Sequence, residues 1–150
     1  MSYYIDSCIF IGAFYKRDQH HLEAKALLEK AIASGEKCYT SVYVLDEFVS
    51  HLTGKARDAD RKVQRNDYAN IKAGENAIQD SDLILLQVDE ETIAQAKALY
   101  DRYWEHGLDL TDWTTAVLMK KNGICRLLTF DQGFDRLKST QEYCKIERMC

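Results

Sequence analysis

Four acids in this chain stand where a carboxylate is either a cap or a working group. Asp6 lies in the stretch YYIDSCIFIGAF, with Tyr3, Tyr4 and Ile5 before it and Ile9, Phe10 and Ile11 after it. An ionised carboxylate stripped of water in such company costs on the order of several kcal/mol unless it is compensated. Asp6 therefore either caps a turn or is held at the end of a buried strand to do work. Asp131 directly follows a second short apolar run, RLLTF. Asp112 falls in LDLTDWTTA, near the start of a helical pattern, where free N–H groups and the helix dipole favour a carboxylate. Glu47 falls in TSVYVLDEFVS, within the second turn of another helix.

If these four meet, their chemistry is constrained. Carboxylates gathered within about 4–6 Å raise one another's pKa and oppose folding. A divalent cation removes that penalty. Oxygen donors with few histidines suit Mg²⁺ or Mn²⁺, which bind phosphate oxygens. Such ions can activate water and stabilise the leaving oxygen in an in-line phosphodiester cleavage. The pattern points to metal ligands more than to a nucleophile or a cap at Asp6.

Each acid also has an ordinary reading. Asp112 suits the N3 position of a capping box with Asp109 as N-cap. Glu47 shares a polar flank with Tyr43 and His51, and Asp131 suits a turn. Asp46 and Asp135 read as surface acids. Arg57, Arg61 and Arg65 recur at i, i+4 spacing and could follow an RNA phosphate backbone, or could form a solvated helix face paired with Asp58 and Asp60.

The elements that must position these residues alternate. Strands are expected at Tyr3–Ile5, Lys37–Thr40, Leu83–Val88 and Arg126–Phe130, with a last edge strand at Lys145–Arg148. Helices are expected at Ile9–Tyr15, after an Asp18 cap with Leu22, Ala26, Leu27, Ala31 and Ile32 at helical spacing, and after a Ser41 cap with Val42, Val44, Leu45, Phe48, Val49 and Leu52 as the apolar face. Two more are expected within Gly54–Asp82, then Thr92–Tyr103 with Ile93, Ala96, Leu99 and Tyr100 on its inner side, and Asp109–Lys121, with Gly35, Gly107 and Asn122-Gly123 as stops. Alternation of this kind predicts an α/β fold with a central, mostly parallel sheet. Right-handed crossovers then bring all strand C-termini to one edge, where Asp6 and Asp131 would both lie.

Bulk properties narrow the classes. The 150 residues predict one domain spanning 1–150 with a full core. No apolar run reaches the ~20 residues of a membrane span, and the N-terminus lacks an export pattern. The five cysteines are odd in number and include no CxxC pair. Cys8 and Cys125 read as core residues, a disulfide from Cys144 is an alternative, and reduced thiols in the cytoplasm are the expectation. The histidines have no metal-ligand spacing. A net charge of −4 argues against gripping nucleic acid by bulk electrostatics. No GxGxxG follows the first strand, and no GxxxxGK[ST] exists. A haloacid-dehalogenase-like enzyme would need DxD where Cys8 stands, and a receiver domain would need a pair of acids where Asp6 is alone.

Taken together, YIDS, TSVYVLDE, LDLTDWTTAVLMKK and LLTFDQGFDRL resemble, in order and context, the PIN-domain family of metal-dependent ribonucleases. The resemblance spans nearly the whole chain and extends to the small toxins of VapBC-type pairs. It implies a three-layer α/β/α sandwich and an endoribonuclease that cleaves RNA by metal-activated water. It places the Mg²⁺ or Mn²⁺ ligands on Asp6, Glu47, Asp112 and Asp131, with Ser7 and Thr129 as supporting hydroxyls. It also implies a homodimer and an antitoxin protein as partner. Asp109 stands where many members have serine, and Trp113 is bulkier than usual, which would alter substrate access. If four of the 24 acids are ligands, 20 remain against 20 basic residues, and the charge objection weakens. The alternatives are a non-catalytic RNA- or protein-binding domain of the same fold, an RNA-processing nuclease without an antitoxin, and a phosphohydrolase of small phosphate esters.

Overall fold

The computed structural model describes all 150 residues, Met1–Cys150. Five strands, β1 (Ser2–Ile5), β2 (Lys37–Ser41), β3 (Ile84–Leu86), β4 (Arg126–Leu128) and β5 (Glu147–Arg148), form one sheet in the order β3-β2-β1-β4-β5. Every pairing is parallel. A parallel sheet is covered on both faces. Accordingly Tyr4 and Ile5, which alternate across the pleat, are both fully buried.

Six α-helices complete the layers: α1 (Ser7–Phe14), α2 (His21–Ala33), α3 (Val42–Ala56), α4 (Arg65–Gln79), α5 (Glu90–Arg102) and α6 (Leu110–Lys121). The chain steps from β1 to β2 to β3 in one direction, then returns across β1 to β4. With right-handed crossovers this puts α1–α4 on one face and α5 and α6 on the other. The packing agrees, since α1 meets α2 and α3, α3 meets α4, and α5 meets α6.

Local chemistry sets several helix starts. The Ser41 hydroxyl accepts from the Val44 N–H at 3.3 Å, and Asp89 accepts from the Thr92 N–H at 2.8 Å. Thr40 donates its hydroxyl to the Ile5 carbonyl at 3.0 Å, locking β2 to the end of β1. Thr115, on α6, donates to the buried Tyr4 hydroxyl at 3.4 Å and fixes α6 against β1.

Several boundaries differ from expectation. Asp18 does not cap α2; its carboxylate accepts from the His20 N–H instead, and His20 is the N-cap residue. The buried face of α2 is Ala24, Leu28 and Ala31, leaving Leu22 82% exposed. Gly54 belongs to α3, so Gly54–Asp82 adds one new helix, α4. Tyr100 is exposed, not part of the inner face of α5, and Cys125 is exposed, not core. All five cysteines are free. The strand β4 ends at Leu128 because Thr129 turns toward Asp6.

Two glycines in helices make opposite predictions. A Cβ at Gly12 would lie 2.6 Å from the Ala24 Cβ, whereas one at Gly54 would meet nothing. Gly54→Ala should stabilise by about 0.5–1 kcal/mol through helix propensity. Gly12→Ala should instead destabilise by about 1–3 kcal/mol as α2 is pushed off α1. Urea midpoints of the two variants against wild type decide the matter.

Candidate active site

Strand order reverses between β1 and β4, and there the backbone N–H of Asp6 donates to the Leu128 carbonyl at 3.1 Å. This is the switch point at which open parallel sheets bind ligands. Asp6 is 6% exposed and is the N-cap of α1. Its Oδ1 accepts from the Ser7 N–H at 2.7 Å. Its Oδ2 accepts from the Thr129 hydroxyl at 2.6 Å and from the Cys8 thiol at 3.4 Å. Cap and working position are thus compatible, which corrects the expectation that Asp6 is not a cap. Burial pushes its pKa above the usual carboxylate range, these donors hold it back, and the charge of Asp131 adds to the rise.

Thr129 is fully buried and serves both strand ends. While donating to Asp6 it accepts from the Asp131 N–H at 3.1 Å. Asp131 is solvent-exposed and caps the 3₁₀ segment Gln132–Ser139, accepting from the Gly133 N–H at 2.7 Å.

Asp112 arrives from the opposite layer on the first turn of α6. It forms a reciprocal capping box: Asp109 N–H donates to Asp112 Oδ2 and Asp112 N–H to Asp109 Oδ1, both at 2.9 Å. Burial pushes the Asp112 pKa up to about 8, the Asp109 N–H opposes the rise, and the charges of Asp109, Asp6 and Asp131 reinforce it. Glu47 on α3 is half-buried, not on a solvated flank. Its pKa is raised by burial, lowered by the Ser7 hydroxyl facing it, and raised again by Asp6, Asp109 and Asp46.

The four acids therefore share one electrostatic neighbourhood although they come from both layers. No basic side chain forms an ion pair with any of them. At the same time, no three acidic, histidine or cysteine side chains converge at closed metal-ligand spacing. Three of the four acids have an oxygen turned onto a backbone N–H, and like charges hold the group open. The donor set nonetheless fits a hard divalent cation: it is all oxygen, partly desolvated and uncompensated.

Other expectations fare differently. Arg57, Arg61 and Arg65 share no helix face. Arg57 follows α3 and bridges to Val63, Arg61 sits in a turn with φ 61°, and Arg65 opens α4. Trp113 is fully buried, stacked on Tyr103, and so does not gate the site. Two neighbours were not singled out as site residues. Cys8 links Asp6 to the Phe130 N–H, which donates to its sulfur at 3.3 Å. Its position two residues after Asp6, on the same first turn, was the available signal. Asp109 is a fifth charge in the cluster. A cleft of about 620 Å³ lies elsewhere, between α1, α3 and α4.

The electrostatics predict a pH dependence. Between 3.8 and about 8 the folded chain keeps a proton on Asp112 that the unfolded chain releases. Stability in excess chelator should fall as pH rises through that window and level off above it. Asp112→Asn should raise metal-free stability at pH 8 by about 1–3 kcal/mol and flatten the profile. Denaturant melts across pH check this; a variant less stable than wild type at pH 8 contradicts it.

Comparison with known proteins places this geometry. The PIN domain family profile matches residues 3–139. A VapC ribonuclease of Archaeoglobus fulgidus is 23% identical over 147 residues, covering 97% of this chain and 86% of that protein. The crystal structure of VapC20 from Mycobacterium tuberculosis, described as a sarcin–ricin loop cleaving toxin, superposes with TM-score 0.70 at 22% identity, over 86% of this chain and 89% of that one. VapBC2 from Rickettsia felis, bound to a DNA fragment from its promoter, gives TM-score 0.63 at 16% identity over 99% and 98%. The profile match over residues 3–139 shows that the chain belongs to the PIN domain family.

Proposed function

We propose that this chain is a divalent-metal-dependent endoribonuclease, the toxin of a VapBC-type pair, cleaving single-stranded or loop RNA. The observation that carries this reading is an uncompensated carboxylate cluster at the switch point of a PIN fold. Asp6, Glu47, Asp112 and Asp131 would hold the cofactor, Mg²⁺ or Mn²⁺. When bound, such an ion supplies a Lewis acid for phosphate oxygens and lowers the pKa of water.

The chain's own residues do the positioning. Thr129 and Cys8 orient Asp6 Oδ2, the Ser7 N–H orients Oδ1, and the Ser7 hydroxyl faces Glu47. The capping box aims Asp112 from the other layer. Arg57, Arg61 and Arg65 are exposed single cations, available for phosphate contacts away from the cleavage point.

The partners belong to the same proposal. The cleft between α1, α3 and α4, with Phe14, Leu52 and Ile71 inside and Lys16, Arg17 and Lys55 on its lining, supports an antitoxin partner. Exposed Tyr100 and Trp104 at the end of α5 offer apolar surface to a second copy in a homodimer. No helix is long and apolar enough to cross a membrane, and five free thiols suit the cytoplasm.

Purified protein should cut a structured RNA when Mg²⁺ or Mn²⁺ is supplied and stop in excess chelator. Asp6→Asn keeps the side-chain size and should lower the rate at least ~100-fold, about 3 kcal/mol of transition-state stabilisation, with an unchanged circular dichroism spectrum. Undiminished cutting in chelator would sink the mechanism. RNA binding without any metal-dependent product would favour the non-catalytic alternative.

A further inference from the structure

The loop between α1 and α2 holds a histidine, His20, whose Nδ1 lies 3.7 Å from Glu23 Oε2 on the first turn of α2 and whose ring lies outside the carboxylate cluster. The His20 ring lies flat on the Phe130 ring, with centroids 4.3 Å apart and planes 17° apart. Phe130 sits between Thr129 and Asp131, so the stack borders the carboxylate cluster within one residue of chain. The His20 side chain is 40% exposed and makes no capping hydrogen bond to α2, although His20 occupies the N-cap position.

The loop that presents this ring is firmly fixed. Asp18 accepts from the His20 N–H at 2.8 Å. His21 donates its Nδ1–H to the Gly12 carbonyl at 2.7 Å. Gly12 itself lets α1 and α2 approach so closely that no Cβ would fit. At the other ring, the Phe130 N–H is tied to Cys8. A half-exposed imidazole is thus held flat, with one face on Phe130 and its other face free of any aromatic partner. The same loop carries Lys16 and Arg17, both exposed and neither in an ion pair.

A flat π-surface at the edge of a site for a phosphodiester matches one ligand chemistry. Single-stranded RNA offers unstacked bases that lie on aromatic side chains while its phosphates meet basic residues. We propose that the His20–Phe130 stack is a nucleobase platform. It holds the base of a nucleotide flanking the phosphate to be cut. This rests on the ribonuclease reading and adds to it where the substrate's base is held.

The test uses a short single-stranded RNA carrying 2-aminopurine, whose fluorescence is quenched by stacking, bound to the full chain in excess chelator. Cleavage of the same RNA in Mn²⁺ is measured alongside. Wild type should quench the probe. His20→Ala should weaken binding and raise KM roughly tenfold, abolish the quench, and change kcat less than about threefold. His20→Tyr restores an aromatic face and should return KM to within about twofold of wild type. Thermal melts establish that both variants fold. Equal binding and quench in folded His20→Ala, or a Tyr variant no better than Ala, overturns the platform alone. A wild-type protein that neither binds nor cuts RNA overturns the ribonuclease reading and the platform with it.

Discussion

The Thr129 hydroxyl is the joint on which the site depends. It gives its proton to Asp6 Oδ2 and takes one from the Asp131 backbone. In doing so it ties the end of β1 to the end of β4, at the place where the strand order reverses. A carboxylate 6% exposed is tolerable only when its oxygens are bonded, and Thr129, Ser7 and Cys8 supply those bonds. Thr40 on the Ile5 carbonyl and Thr115 on the Tyr4 hydroxyl extend the same logic. Buried hydroxyls pin the layers that bring Glu47 and Asp112 toward Asp6.

Around this joint, the acids serve folding, and the proposed cation site would use the same side chains. Asp6, Asp131 and Asp112 each satisfy an orphan N–H at a helix end or turn. These caps stabilise locally, while the gathered charge destabilises globally, as the raised pKa values of Asp6, Glu47 and Asp112 express. Charges of one sign brought together break the local rules, and such exceptions concentrate at functional sites.

Much of this was legible before any coordinates. Apolar runs ending in Asp6 and Asp131 indicated strand ends on one edge, and alternation of periods indicated a parallel sheet. The capping-box spacing of Asp109 and Asp112 was readable too. What escaped was tertiary. Treating cap and working carboxylate as exclusive roles misjudged Asp6, because one oxygen can do each. The Arg57, Arg61 and Arg65 spacing imitated a helix face, but polar periodicity without an apolar stripe has no packing to enforce it, and the chain turns at Arg61. Glu47 looked solvated because its burial is tertiary and leaves no mark in its own helix. Trp113 suggested bulk at an entrance, whereas α6 is buried nearly all round and points the ring into the core.

The central claim is that Asp6, Glu47, Asp112 and Asp131 form one cation site organised by Thr129. Anomalous diffraction at the manganese edge, from crystals grown in Mn²⁺, tests it most directly. A peak at coordination distance from Asp6 and at least one of the other three acids is the predicted result. An ion-free cluster at saturating Mn²⁺, or manganese bound only to unrelated surface acids, would contradict it.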